Sequence, residues 1–161
     1  MVTTREDFAL YRHPRFDFSL PVPHGWELLE DFRDDVAVAV IEPVALVGFR
    51  ANAVVTVESV LDLDLDTWQS AADEQLTQQL PNYLLIDREN LEHDDRRLIR
   101  RLCHHVAADT GSVTMEQWAV MDGDTGYTLT TSVATLSYDS LADVFADMAA
   151  EFRVGPHQEA S

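Results

Sequence analysis

The sequence predicts an α+β domain: an antiparallel sheet of about six to eight strands with two amphipathic helices packed on it. Three observations predict it. Most segments alternate apolar and polar residues with a period of two. The links between them are of hairpin length, which suits antiparallel pairing. Two segments switch to helical spacing, and each must bury a stripe against the sheet. At 161 residues the chain is long enough for one core. We read 1–154 as a single domain and 155–161 as a flexible polar tail.

The elements follow in order. Residues 1–14 read as a lead-in closed by Pro14. Phe16, Phe18 and Leu20 alternate with Asp17 and Ser19, the pattern of a half-buried strand. The run Pro21 to Gly25 breaks it. Trp26–Glu30 reads as a short strand, and Val36–Glu42 as a second that Pro43 ends. Ala53–Val60 is a further strand, with Val55 and Val57 on one face. Leu65, Trp68, Ala72, Leu76 and Leu80 then follow helical spacing. Asp64 or Asp66 caps that helix and Pro81 stops it. Strands are expected over Tyr83–Arg88, Arg97–Ala107 and Val113–Met121. Asp122 to Gly126 forms a turn of the Asp-Gly class, and Tyr127–Val133 returns as a strand. Leu141, Val144, Phe145, Met148 and Phe152 stripe a last helix, with Ser137 or Ser140 as its cap.

The charge balance narrows the partners. Acidic residues number 29 and basic residues 11, for a formal net charge of -18. Every basic residue is arginine, which fits a GC-rich genome. A polyanion draws its affinity from cations on the protein, so nucleic acid is excluded as a partner, and an anionic membrane surface with it. A basic protein or peptide is compatible with the charge; so is a role in solubility alone. Cys103 is the one cysteine, so no internal disulfide forms. The start, Met1 to Asp7, carries no apolar signal core. The longest aliphatic run, Val36–Ile41, is far too short to span a bilayer. These features give the expectation of a cytoplasmic protein.

An ordered set of residues carries a resemblance. Phe16-Asp17-Phe18-Ser19-Leu20-Pro21 is followed by Gly25-Trp26, then by Asn52-Ala53-Val54-Val55-Thr56-Val57-Glu58. A helix carrying Trp68 and ending at Leu80-Pro81 comes next. Glu116-Gln117-Trp118, Gly126-Tyr127-Thr128-Leu129-Thr130 and a closing helix ending at Phe152 complete it. Over residues 14–154 the chain resembles the PsbP/Mog-like α/β/α sandwich superfamily, and within it the actinobacterial LpqN-type proteins. The resemblance implies the sandwich fold and a protein-binding role, with no catalytic residues to carry over. The chain departs from the LpqN-type pattern in lacking a signal sequence and a lipid-bearing cysteine.

Several side-chain groups invite a chemical reading. Asp62, Asp64 and Asp66 would share one face of an extended segment and offer hard oxygen ligands, but a Ca²⁺ loop's glycine and distal glutamate are missing. Acid at a helix N-terminus explains them equally. Asp122 and Asp124 are explained by the turn. Adjacent His104 and His105 point to opposite sides of a strand, and His93 stands in a polar loop. No three ligands converge in sequence, so no metal or other cofactor is expected. Cys103 sits mid-strand and reads as a small buried hydrophobe. Nucleophile elbow, phosphate loop, dinucleotide and zincin motifs are all missing from the sequence.

Arg96, Arg97, Arg100 and Arg101 stand out, four of the eleven arginines within six residues. Two readings fit. They grip an acidic partner or a carboxylate, or they pair with acids on neighbouring strands such as Glu89, Glu92 and Glu116. Trp68 and Trp118 occupy core positions by periodicity, whereas Trp26 is the better candidate for an exposed contact. The expectation is a non-enzymatic protein-binding, adaptor- or chaperone-like module, monomeric or weakly self-associating, with Arg96, Arg97, Arg100, Arg101 and Trp26 at its partner face. The alternative is a small-molecule-binding protein or enzyme with a pocket between sheet and helix, using Glu58 and Glu116.

Overall fold

The computed structural model describes residues 7–44 and 48–156. Its strands are β1 (Phe8–Arg12), β2 (Phe18–Pro23), β3 (Glu27–Arg33), β4 (Val36–Ile41) and β5 (Asn52–Ser59), then helix α1 (Leu65–Gln79). A four-strand meander follows: β6 (Leu84–His93), β7 (Arg96–Ala107), β8 (Gly111–Asp122) and β9 (Thr125–Ala134). A 3₁₀ turn leads into α2 (Tyr138–Ala150), and β10 (Arg153–Val154) follows it. Seven strands form one antiparallel sheet in the order β3-β4-β5-β9-β8-β7-β6. β1, β2 and β10 form a smaller sheet with β2 in the middle. The α+β class and the size of the main sheet are those the period-two pattern called for.

Three local differences have physical causes. The lead-in contains a strand, β1, which pairs with β2 along its length. Its apolar residues do not alternate cleanly, so period alone misses it. The prolines do not end β2, which runs through Pro21 to Pro23. β10 pairs only with Phe18 and Ser19, so β2 is an edge beyond Ser19, and an edge tolerates residues with no N–H. β6 runs on past Arg88 to His93, because as an edge strand it needs no buried face. Its turn into β7 places Asp94 and Asp95 at φ 56° and 61°, the double left-handed bend that suits a two-residue hairpin.

Strand alternation divides the sheet into two faces. One face carries Val38, Val55, Leu129, Leu98 and Trp118, and it meets Phe18 and Leu20 of the small sheet and Phe145 and Met148 of α2. This is the main core. The other face carries α1 over β7 and β8, with a small cluster of Val60, Trp68 and Ala119 between them. Asp64 caps α1, accepting from the Thr67 N–H at 2.7 Å. Of the expected α1 stripe only Trp68 is buried; Leu65, Ala72, Leu76 and Leu80 are half-buried. Ser137 occupies the cap position of α2 but makes no side-chain cap bond, because the 3₁₀ turn supplies the entry instead.

Candidate functional site

α2 lies across β2 and β9. It therefore leaves the β6–β7 end of the core face uncovered. The result is a groove of about 480 Å³ between the helix and the sheet. Leu98 and Trp118 form its floor, Leu91 its strand-side wall, and Ala142 and Ala146 its helix wall. Alanines spaced by four along α2 keep that wall low.

A polar cluster closes one end. Register places Arg100 beside Glu89 on β6 and beside Trp118 on β8. Its guanidinium donates from Nε and Nη2 to Glu116 Oε2 at 3.1 and 2.7 Å. Nη1 lies 3.4 Å from Glu89 and 3.7 Å from Asp87. The Tyr138 hydroxyl donates to the other Glu116 oxygen. Burial, reinforced by Glu116, pushes the Tyr138 phenol up to about 12. Burial opposes the charge on Arg100, yet the pairing with Glu116 and Glu89 outweighs it and raises its pKa. The narrow opposite end is lined by His93, Arg96 and Phe152. There Arg96 donates to the Met121 carbonyl at 3.1 Å and pairs with Asp122 at 3.0 Å. His93 Nε2 is shielded from solvent and has no hydrogen-bond partner.

The four arginines do not form one patch, because β7 sends alternate side chains to opposite faces. Arg96 and Arg100 line the groove region. Arg97 and Arg101 face α1. Arg97 forks onto Asp66 at 3.0 and 2.6 Å and also holds Asn90. Arg101 is fully buried. It donates to Asp73 at 2.6 Å, to Gln69 and Gln117 at 3.0 Å each, and to the Gln69 carbonyl. Burial makes it an internal anchor for α1 and takes it out of reach of a partner. Trp26 is half-buried against the main core and lies outside the groove.

The remaining groups resolve simply. Glu58 accepts from the Trp68 indole on the α1 face, while Glu116 faces α2, so these two acids cannot serve one pocket. Asp64 caps α1, Asp66 holds Arg97, and Asp122 holds Arg96. Among the described residues, no three His, Cys, Asp or Glu side chains are placed to hold a metal ion. Cys103 is buried with its sulfur 3.5 Å from the Met115 carbonyl, and burial pushes its thiol up to about 11. Sequence reasoning missed Tyr138, Leu91 and Asp143 as groove residues. Each is an ordinary residue on its own element, and only the placement of α2 brings Tyr138 and Asp143 opposite Leu91 of β6. No described helix is long and apolar enough to cross a membrane.

No protein-family model matches the sequence, and no curated protein does. Solved structures do resemble it. LpqN of Mycobacterium tuberculosis, described as involved in cell envelope biogenesis, superposes with a TM-score of 0.73 at 14% identity, over 92% of this chain and 91% of that one. Cyanobacterial PsbP from Synechocystis sp. PCC 6803 gives 0.71 at 13% identity, over 96% of both chains. A Pseudomonas aeruginosa protein of unknown function, described as a putative regulator, gives 0.66 at 12% identity over 94% and 99%. Two helices on an antiparallel sheet, with the small sheet beside them, give this chain the PsbP-like fold that LpqN also has.

Proposed function

We propose that the protein is a non-enzymatic protein-binding module, adaptor- or chaperone-like, that takes its partner in the groove between α2 and the β6–β7 hairpin. One observation carries this reading. The groove exposes apolar walls at Leu91, Ala146 and Ala150 over a floor, Leu98 and Trp118, that is largely buried, while Arg100, Glu116 and Tyr138 satisfy one another. Polar groups that bond each other offer shape and apolar surface more readily than proton transfer, which needs a group poised on substrate. Arg96 and Arg100 are the arginines of this reading; they border the groove and hold its shape. A site for a small molecule is the alternative, since the volume is in the usual range for ligands.

The test is quantitative capture from host lysate with the wild type and with Ala146→Gln/Ala150→Gln. Both positions are exposed groove residues, so the pair fills the groove and leaves the core untouched. A stoichiometric protein lost only in the variant supports the reading. A partner retained equally by the variant places its contact elsewhere and overturns it. Self-association through the exposed edge of β6, with Leu84 and Ile86 more than half exposed, is a separate expectation. Light scattering that shows only monomer across a concentration series removes it.

A further inference from the structure

From the charges around the groove we infer that its occupant is a polypeptide segment that sets an apolar side chain on Trp118 and Leu98 and carries a cationic side chain on either flank. The inference rests on the groove being a protein-binding surface, and it names the partner's chemistry.

The charge count points this way. Arg100 is the one arginine lining the groove's wide part. Its charge is matched by Glu116, and Glu89 and Asp87 stand within 4 Å of it as well. Asp143, exposed on the helix wall, has no partner among the described residues. Glu92 lines the groove as well, so one arginine stands among five acids that line or border it, on a chain whose net charge is -18. α2 adds no basic residue along its length. An acidic or neutral segment would leave this excess unanswered, whereas a cation on each side of the floor answers Asp143 on the helix and Glu89 on the strand.

The floor argues for more than a free amine. Leu91, Ala146 and Ala150, with the edges of Leu98 and Trp118 that reach the groove, present apolar surface that a small polyamine would leave wet. Arg96 and Arg100 are already paired with Asp122 and Glu116, so they offer no free cation to an acidic partner.

The experiment is a fluorescence-anisotropy titration of the full chain. The probes are a labelled ten-residue peptide alternating arginine and leucine, one alternating arginine and serine, and one alternating glutamine and leucine, with unlabelled spermidine as competitor. The variants are Asp143→Asn/Glu89→Gln, which removes an acid of the helix wall and one 3.4 Å from Arg100, and, as a charge-matched control, Asp62→Asn/Asp109→Asn, two exposed acids that neither line the groove nor pair with Arg100. Arg100 keeps Glu116 in the first variant. We expect the arginine–leucine peptide to bind best and the groove variant to weaken it by about fivefold to tenfold. The control should change it less than about twofold. Equal losses in both variants, or equal binding of the arginine–serine peptide, reduce the effect to bulk charge and overturn the inference. Efficient displacement by spermidine overturns it in favour of a free amine. Best binding by the glutamine–leucine peptide, lost in Ala146→Gln/Ala150→Gln, overturns the cationic partner yet keeps the groove as the binding site. If the arginine–leucine peptide binds the wild type and Ala146→Gln/Ala150→Gln alike, the groove reading itself fails.

Discussion

The two helices are held to the same sheet by different chemistry. α2 is anchored by apolar side chains: Phe145 and Met148 are fully buried in the main core. α1 buries only Trp68 and Gln69, and its firm contacts are polar. Arg101 reaches up to Asp73 and Gln69, Arg97 to Asp66, and Trp68 back to Glu58. The comparison teaches what neighbouring arginines on one strand are for. Arg101 takes its place inside the α1 contact. Arg100, one residue away, faces α2 and borders an open groove. A helix anchored by its own apolar stripe can stand off from part of the sheet and leave that part free. A helix held by polar side chains that rise from the sheet must lie directly over them.

Replacing an anchor of each kind sharpens the contrast. Phe145→Ala empties a site that is 1% exposed and should cost about 3–5 kcal/mol in urea unfolding. Leu76→Ala, in the half-buried α1 stripe, should cost about 1 kcal/mol. Similar costs would mean that α1 is packed as α2 is. Arg101→Ala comes next. It strands Gln69 and Gln117 and removes the nearer of two cations on Asp73, at about 3 kcal/mol, a value moderated because Asp73 keeps Arg88 at 3.7 Å and can partly rehydrate. Arg100→Ala should cost about 1–2 kcal/mol, since Glu116 keeps the Tyr138 hydroxyl. The division between anchor and groove border fails if the two arginines cost the same.

Gly126 tests the packing under α1 from the sheet side. A Cβ there would sit 2.6 Å from the Trp68 ring and 2.8 Å from Val60. Both neighbours are buried and neither is the free end of a flexible chain. Gly126→Ala should therefore cost about 2 kcal/mol and shift the Trp68 fluorescence. An unchanged unfolding midpoint would show that α1 rises to accommodate a methyl group at no cost.

Much of this arrangement was legible in the residues. Period two marked the strands from Phe18 to Val133, and Asp64 and Pro81 bounded α1. The period also put Arg97 and Arg101 on one face of β7 and Arg96 and Arg100 on the other. It could not say which face each helix covers. That depends on long-range packing, and so the fate of each arginine was hidden. The α1 stripe read as apolar because Leu65, Ala72 and Leu76 recur at the right spacing; the polar residues Gln69 and Asp73, which do the docking, carry no periodic signal. The groove was not legible at all. It is a gap between elements far apart in sequence, and its helix wall is alanines.

The smallest effect reports on the α1 face through Cys103. Its thiol is pushed from its ordinary 9.0 to about 11 by burial, with Arg101 opposing the rise. The folded chain therefore holds this proton after the unfolded chain has released it. Stability is fully present below pH 9 and falls as pH climbs toward 11. Four tyrosines, Tyr11, Tyr83, Tyr127 and Tyr138, have raised pKa values too and begin to add to the loss as pH nears their ordinary 10.0. Between pH 8 and about 9.5 the thiol alone should lower stability by about 1 kcal/mol. Urea midpoints across that range should slope downward in the wild type and clearly less steeply in Cys103→Ala, where only the tyrosines remain. A slope undiminished in Cys103→Ala assigns the loss to other groups. In Arg101→Ala the slope separates two outcomes for the helix. If α1 stays docked, the thiol loses an opposing cation and the slope is kept. If α1 lifts away, water reaches Cys103 and the slope shrinks, while Ala146→Gln/Ala150→Gln, on the other face, leaves it as it was.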